Sequence, residues 1–264
     1  MLLADKTVVV SGVGAGLGRE VAAACLREGA RVVLGARTEA HLAKCAAELD
    51  PEGRRSAYRA VDIRDERQCE ALAALAVERF GGIDAVVHVA ALDTVMGGLA
   101  DADLAEWQQV VDVNLLGTLR MTRACLPALK EAGARGDGSV VMIGTQSSVA
   151  APSQLQQAAY AASKGGLVSA MYSLARELGP HRVRVNTVQP GWMWGPMVEG
   201  YVAWAADTEG IGQGAVRARL DERMALPGMA SDGDVAETVA FFASERARGI
   251  TGQCLLVNAG EIMR

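Results

Sequence analysis

The sequence predicts an α/β fold: one doubly wound parallel sheet, Rossmann-like, in a single domain spanning 1–264. Three observations predict it. Short, wholly apolar runs rich in β-branched residues alternate with helical segments along nearly the whole chain. The first of these runs, Thr7-Val8-Val9-Val10, ends in a glycine-rich turn. No composition shift, Pro/Ser-rich stretch or internal repeat marks a domain boundary.

Taken in order, strands are expected at 7–10, 31–36, 56–61, 83–89, 139–143, 183–188 and 253–257. Helices are expected between them: from the glycine turn to about 28, then at 39–49, 65–80, roughly 103–130, 156–178 and 232–243. The long region 103–130 is open to a break near Asn114 or Pro127. After Pro190 the pattern is irregular until 232. Each apolar run is followed by a helical one, which is the order that winds a parallel sheet with helices on both faces.

Composition narrows the function. The chain has 264 residues, 50% hydrophobic, with a net charge of -5. No Lys/Arg run offers a face to nucleic acid. Cys25, Cys45, Cys69, Cys125 and Cys254 are widely spaced with no CxxC pair, so free thiols are expected in place of a metal or dithiol site. No run of 18 apolar residues occurs, and 1–6 lacks the basic-then-apolar pattern of a signal peptide. The expectation is a soluble cytoplasmic protein with no membrane partner.

The turn after the first strand reads Ser11-Gly12-Val13-Gly14-Ala15-Gly16-Leu17-Gly18. Gly12, Gly16 and Gly18 give G-x3-G-x-G, with Leu17 where a GxGxxG loop would place its last glycine. Glycines here let the backbone approach a pyrophosphate, met by N–H groups at the next helix's N-terminus. At the end of the second strand, where a carboxylate would hold a free 2′-hydroxyl, stands Arg37, and a guanidinium suits a 2′-phosphate. NADP(H) is therefore favoured, with NAD as second choice. The alternative is that Arg37 caps the strand or stacks on adenine. At the end of the third strand, Asp62 and Ile63 are candidates for the adenine, or Asp62 caps the next helix.

Tyr160-Ala161-Ala162-Ser163-Lys164 lies in a helical stretch, so Tyr160 and Lys164 project from one face as neighbours. A phenol titrates near pH ~10 unperturbed, and an adjacent ammonium is expected to pull it toward neutrality. Tyr160 would then be acid in carbonyl reduction and base in alcohol oxidation. An amphipathic helix with an ordinary exposed lysine is the plainer alternative.

With these motifs assembled, the sequence resembles the short-chain dehydrogenase/reductase family from Lys6 to about Gly260. The landmarks are the Ser11-to-Gly18 loop, Asp62, Val113-Asn114-Leu115-Leu116-Gly117, Tyr160 with Lys164, Pro190-Gly191 and Thr251-Gly252-Gln253. The resemblance implies strand order 3-2-1-4-5-6-7 and a site at the strand C-terminal ends. It implies that Asn114 holds a water relaying protons with Lys164 to Tyr160. Pro190 and Gly191 would pass under the nicotinamide, with Met193 close by. A hydroxyl at the end of the fifth strand would orient the substrate oxygen: strand reading gives Thr145, spacing to the tyrosine gives Ser147.

Two departures from the family pattern stand out. Its Asn-Asn-Ala-Gly is His88-Val89-Ala90-Ala91 here; Ala90 and Ala91 still permit close approach of a cofactor, and His88 reads as a core or cofactor-shell residue. A threonine that often bonds the carboxamide is replaced by Gly195, so amide recognition is expected from backbone groups. Beyond Pro190-Gly191 come Trp192, Trp194, Tyr201 and Trp204, four of only eleven aromatic residues. As a lid at about 192–225 they suggest a hydrophobic, cyclic or aromatic carbonyl or alcohol, with Arg217 and Arg219 well beyond the aromatic run. The alternative is that they pack a subunit interface or the core. A non-catalytic dinucleotide-binding regulator or scaffold is the competing function class, disfavoured by the intact Asn114, Tyr160 and Lys164. The last strand and the helix before it resemble the family's tetramer-forming edge, so a homotetramer is expected, with a dimer second.

Overall fold

The computed structural model describes residues 1–100, 102–136, 138–151 and 156–263. Its strands are β1 (Thr7–Ser11), β2 (Arg31–Ala36), β3 (Ser56–Ala60), β4 (Ala85–His88), β5 (Gly138–Ile143) and β6 (Val183–Pro190). A short pair, β7 (Met193–Trp194) and β8 (Ala230–Ser231), precedes the last strand, β9 (Cys254–Val257). The seven-stranded sheet is parallel, in the order β3-β2-β1-β4-β5-β6-β9. This is the expected order, with β9 as seventh member because β7 and β8 pair apart from the sheet.

Helices α1 (Leu17–Arg27), α2 (Glu39–Leu49), α3 (Glu66–Phe80), α4 (Leu104–Val111), α5 (Thr118–Arg135) and α6 (Ala158–Leu178) follow the strands. They are joined by α7 (Pro196–Glu209), α8 (Gln213–Asp221) and α9 (Asp232–Ala243). The apolar strands explain the two layers. Val8, Val10, Val32, Leu34 and Val87 face α1 and α9, with Val21, Cys25, Val239 and Phe242. Val9, Val33, Val86 and Val140 face the other way, onto Leu72, Leu129, Leu167 and Met171 of α3, α5 and α6. Alternation in a strand apolar on both sides builds both cores at once. Each such side chain removed from water contributes roughly 1.5–3 kcal/mol.

Of the two break points offered within 103–130, the structure takes Asn114, where Asp112–Gly117 forms a wider π-helical turn, while α5 runs through Pro127 unbroken. The stretch after Pro190, read as irregular, contains α7 and α8. Its apolar positions, Val198, Val202, Ala205, Ala206, Val216 and Leu220, close a small core of their own instead of joining the sheet. Among the described residues, no helix is long and apolar enough to cross a membrane, and all five cysteines are free.

Sheet and helix meet most closely in the first turn. A Cβ on Gly18 would lie 2.2 Å from the Gly12 carbonyl oxygen and 2.9 Å from the Val13 Cα, both backbone atoms that cannot step aside. Gly18→Ala is therefore expected to cost about 1–3 kcal/mol of overpacking despite alanine's better helix propensity. Urea unfolding of the variant against the parent protein measures it, and an unchanged midpoint would contradict this packing.

Candidate active site

The strand order reverses between β1 and β4, so the chain leaves these neighbours toward opposite faces and opens a crevice at their C-terminal ends. The floor is tight. Gly12 has φ +104°, and a Cβ on it would lie 2.0 Å from the Ala90 nitrogen, so the loops after β1 and β4 touch. Ala90 is half-buried and Ala91 exposed at its rim. Above this floor α1 begins without a side-chain cap. Among the described residues, the N–H groups of Gly16, Leu17 and Gly18 have no acceptor. Uncapped donors at a helix N-terminus fit a pyrophosphate.

Arg37 emerges exposed from the end of β2. Asp62 does not cap α3; Asp65 does, accepting from Arg67 N and Gln68 N. Asp62 is instead gripped by Arg64, with Nε to Oδ1 at 3.0 Å and Nη2 to Oδ2 at 2.6 Å. That pair, with a smaller contribution from Arg37, holds the carboxyl below its usual range. Ile63 is buried, and Gly117 of the π-helical turn packs on it closely enough that a Cβ there would meet Ile63 Cγ1 at 2.7 Å.

The π-helical turn presents Asn114 to the crevice. Its Oδ1 accepts from Leu92 N at 2.7 Å, and its Nδ2 donates to Leu92 O and Ser163 Oγ, each at 3.0 Å. Its own carbonyl accepts the Thr118 hydroxyl at 2.9 Å. One side chain thus ties the segment after β4 to α6. On α6, Lys164 is fully buried and donates to the Ile143 carbonyl at 2.7 Å, at the end of β5. Its Nζ lies 5.7 Å from the centre of the Tyr160 ring.

Burial pushes the Lys164 ammonium down to about 8, with Asp93 acting in the opposite direction. The expectation that this ammonium pulls the phenol toward neutrality is corrected. Burial raises the Tyr160 hydroxyl above its ordinary value, the Asp93 carboxylate raises it further, and only a hydrogen bond with Thr145 lowers it. The reason is geometric: the ammonium lies toward the ring and is directed at a carbonyl, not at the phenolic oxygen.

The two hydroxyl candidates separate in space. Thr145 is buried and bonds Tyr160, while its Oγ1 also accepts from Ser147 N at 3.2 Å. Ser147 instead lines a groove with Gly98, Ala151, Gln157, Ala158 and Ala161. Between them, Gln146 accepts from Asn258 Nδ2 at 2.9 Å and donates to Glu261. Gly191, at the end of β6, fits against that amide; a Cβ there would lie 2.5 Å from Gln146 Oε1.

In the stretch expected to be a lid, Trp192, Trp194 and Tyr201 are half-buried against the small core, and Trp204 is exposed. Trp192 and Tyr201 are 5.0 Å apart between ring centres, Tyr201 and Trp204 5.9 Å. The reading of Arg217 as lying well beyond the aromatic run is corrected. Its guanidinium stacks 3.8 Å from the Trp194 ring centre, fastening α8 to β7, and Arg223 lies 5.7 Å from Trp192. Arg219 pairs with Glu209.

Two acidic residues escaped the sequence reading. Asp93 stands one residue beyond Leu92 and acts electrostatically on both Tyr160 and Lys164. Asp232 reaches the crevice from the start of α9, beside Gly16 and Gly195. The signal for Asp93 was a lone carboxylate just past a buried strand's C-terminal end; nothing local marked Asp232.

Known proteins resemble the chain over nearly its whole length. A family model described as enoyl-(acyl carrier protein) reductase matches residues 12–261. The L-rhamnose 1-dehydrogenase (NAD(P)(+)) of Azotobacter vinelandii is 33% identical, covering 98% of each chain. The trans-4-hydroxycyclohexanecarboxylate dehydrogenase of Sinomonas cyclohexanicum is 31% identical, covering 98% of this chain and 93% of that one. Among solved structures, an actinorhodin polyketide ketoreductase variant with NADPH superposes with TM-score 0.86 at 31% identity, covering 97% of each chain.

His88 is a core residue. Thr122 donates its hydroxyl hydrogen to Thr118 O at 2.8 Å, so its Oγ1 accepts from His88 Nε2–H at 2.8 Å, which leaves Nδ1 bare. Burial, aided by the Lys164 charge, pushes His88 down to about 3. An unfolded chain binds a proton here below about pH 6.5, and the native state refuses it until about 3. The stability this residue supports is therefore present above 6.5 and lost as pH falls through that window. His88→Asn is expected to flatten the acid limb of stability against pH by about one proton, read from urea midpoints between pH 4 and 7. An unchanged slope would show that His88 charges freely in the native state.

Proposed function

The chain is an NAD(P)-dependent oxidoreductase of the short-chain dehydrogenase/reductase family, and we propose that it interconverts a ketone and a secondary alcohol on a hydrophobic, cyclic substrate, with NADP(H) preferred. The observation that carries the reading is the Thr145–Tyr160–Lys164 cluster facing an uncapped helix start across one crevice. When bound, the nicotinamide supplies or accepts the hydride.

This chain's residues handle the proton. Tyr160 donates it to the carbonyl oxygen in reduction and takes it back in oxidation. Thr145 orients the substrate oxygen and steadies the phenol. Lys164, poised at about 8, can give or take a proton near neutrality and so recharges Tyr160. The Asn114 carbonyl, which also accepts the Thr118 hydroxyl, holds the relaying water. A phenol kept protonated by burial suits the reducing direction at neutral pH.

Arg37 recognises the 2′-phosphate of NADP(H): it is exposed, no carboxylate stands in its place, and the structural relative with NADPH supports the choice. Asp62 and Ile63 border the adenine, Ala90 and Ala91 its ribose side, and Pro190, Gly191 and Met193 the nicotinamide. Trp192, Trp194, Tyr201 and Trp204 form the lid over the substrate. The alanine-lined groove beside Ser147 and the cyclohexanecarboxylate relative both support an alicyclic substrate. The half-exposed β9 edge, with Leu255 outward, supports a homotetramer, with a dimer second.

Absorbance at 340 nm with NADPH and a panel of cyclic ketones tests the reaction. Tyr160→Phe is expected to lose a factor of about 10²–10⁴ in kcat, and Thr145→Ala far more than Ser147→Ala. Full activity of Tyr160→Phe would end this mechanism, and best turnover on free sugars would end the substrate reading. For the cofactor, KM for NADPH is expected well below KM for NADH. Arg37→Ala should raise the former by roughly tenfold and leave the latter unmoved. A preference for NADH in the parent protein would reverse the assignment.

A further inference from the structure

The crevice holds a carboxylate that the mechanism does not use. Pairing of Met193 with Ala230 and of Trp194 with Ser231 sets the next residues of each strand, Gly195 and Asp232, side by side. A Cβ on Gly195 would lie 2.5 Å from Asp232 Oδ2 and 3.1 Å from Oδ1, and a Cβ on Gly16 would lie 3.0 Å from Oδ2. The carboxylate thus occupies the space that any side chain at 195 would need, and it borders the loop that fits a pyrophosphate. Sequence reasoning left amide recognition at this position to backbone groups; the structure puts a side chain there.

We propose that Asp232 is the hydrogen-bond acceptor for the carboxamide of the nicotinamide cofactor, replacing a side chain at position 195. The inference rests on the cofactor reading above. Asp232 is half-buried, and among the described residues its carboxylate has neither a hydrogen-bond donor nor a cation as partner. It is not needed to start α9, because Ser231 and Asp234 complete that capping box themselves. The charges facing it are Glu20 from α1 and Glu199 from α7, both acidic; burial first, and then these two charges, raise its pKa to about 6. The two arginines of α1 are engaged elsewhere, Arg19 by Glu20 and Glu48 and Arg27 by Glu237. A carboxylate desolvated without a donor gains most from a neutral N–H group, and an amide offers two. Charge repulsion keeps it from serving as a phosphate ligand.

The test uses binding, not turnover. Dissociation constants of NADP⁺ and of its 3-acetylpyridine analogue, which has no amide N–H, are measured at pH 8 by calorimetry on the full chain. The parent protein is expected to bind the analogue roughly ten- to hundredfold more weakly, as loss of a charge-assisted hydrogen bond implies. Asp232→Asn, which keeps an acceptor oxygen, should retain most of that discrimination, and Asp232→Ala should lose it. In the parent protein the discrimination should also shrink as pH falls below about 6 and the carboxyl protonates. Equal binding of both dinucleotides by the parent, or undiminished discrimination in Asp232→Ala, would overturn the assignment while leaving the cofactor reading intact. Failure of the parent to bind either dinucleotide would instead overturn the cofactor reading and this inference with it.

Discussion

A parallel sheet buried on both faces must release its chain at the same edge after every strand, and that constraint organises this molecule. The Gly12–Gly18 loop, Arg37, Asp62, Ala90, Thr145 and Gly191 all leave the sheet at that edge or close to it, though they are scattered over most of the sequence. The constraint follows from composition. Strands such as Val8-Val9-Val10 are apolar at every position, so neither side can face water and both must be roofed by helices. Once the helices occupy both faces, polar chemistry has only the strand ends to live on.

Within that frame electrostatics divides the labour. Lys164 carries a charge into a fully buried place and is balanced there by the Ile143 carbonyl and the field of Asp93. The same low-dielectric surroundings that loosen the lysine's proton tighten the tyrosine's. Two groups with ordinary values of 10.5 and 10.0 are thereby driven in opposite directions. In the proposed mechanism this separation makes one the proton holder and the other the proton exchanger.

Much of this was legible along the chain. Tyr160 and Lys164 sit one helical turn apart, and that local spacing survived into three dimensions, as did the glycine turn on its buried strand. The direction of the phenol's shift was not legible, since it depends on where the ammonium points, which is set by β5 and not by α6. Asp93 left only its place just past a strand end as a signal, and Asp232 none, for a related reason: each acts on residues brought near by a loop clamp or a strand register, with no periodic signature. Thr145 and Ser147 differ by two residues of loop length, a difference that spacing cannot weigh, and in the folded chain Thr145 is the one that acts on the Tyr160 hydroxyl. The helices α7 and α8 went unread because their apolar positions match each other instead of the sheet.

That separate packing carries a consequence for how such a protein diversifies. Val198, Val202, Ala205, Ala206, Val216 and Leu220 form a nucleus that shares no member with the two cores beneath the sheet. With that nucleus as the proposed lid, replacing residues on its inner side reshapes the mouth of the crevice while the foundation keeps its stability. Selection can therefore exchange one molecular shape for another at the entrance like a fitting on a fixed thread, with hydride and proton handling below left as they were.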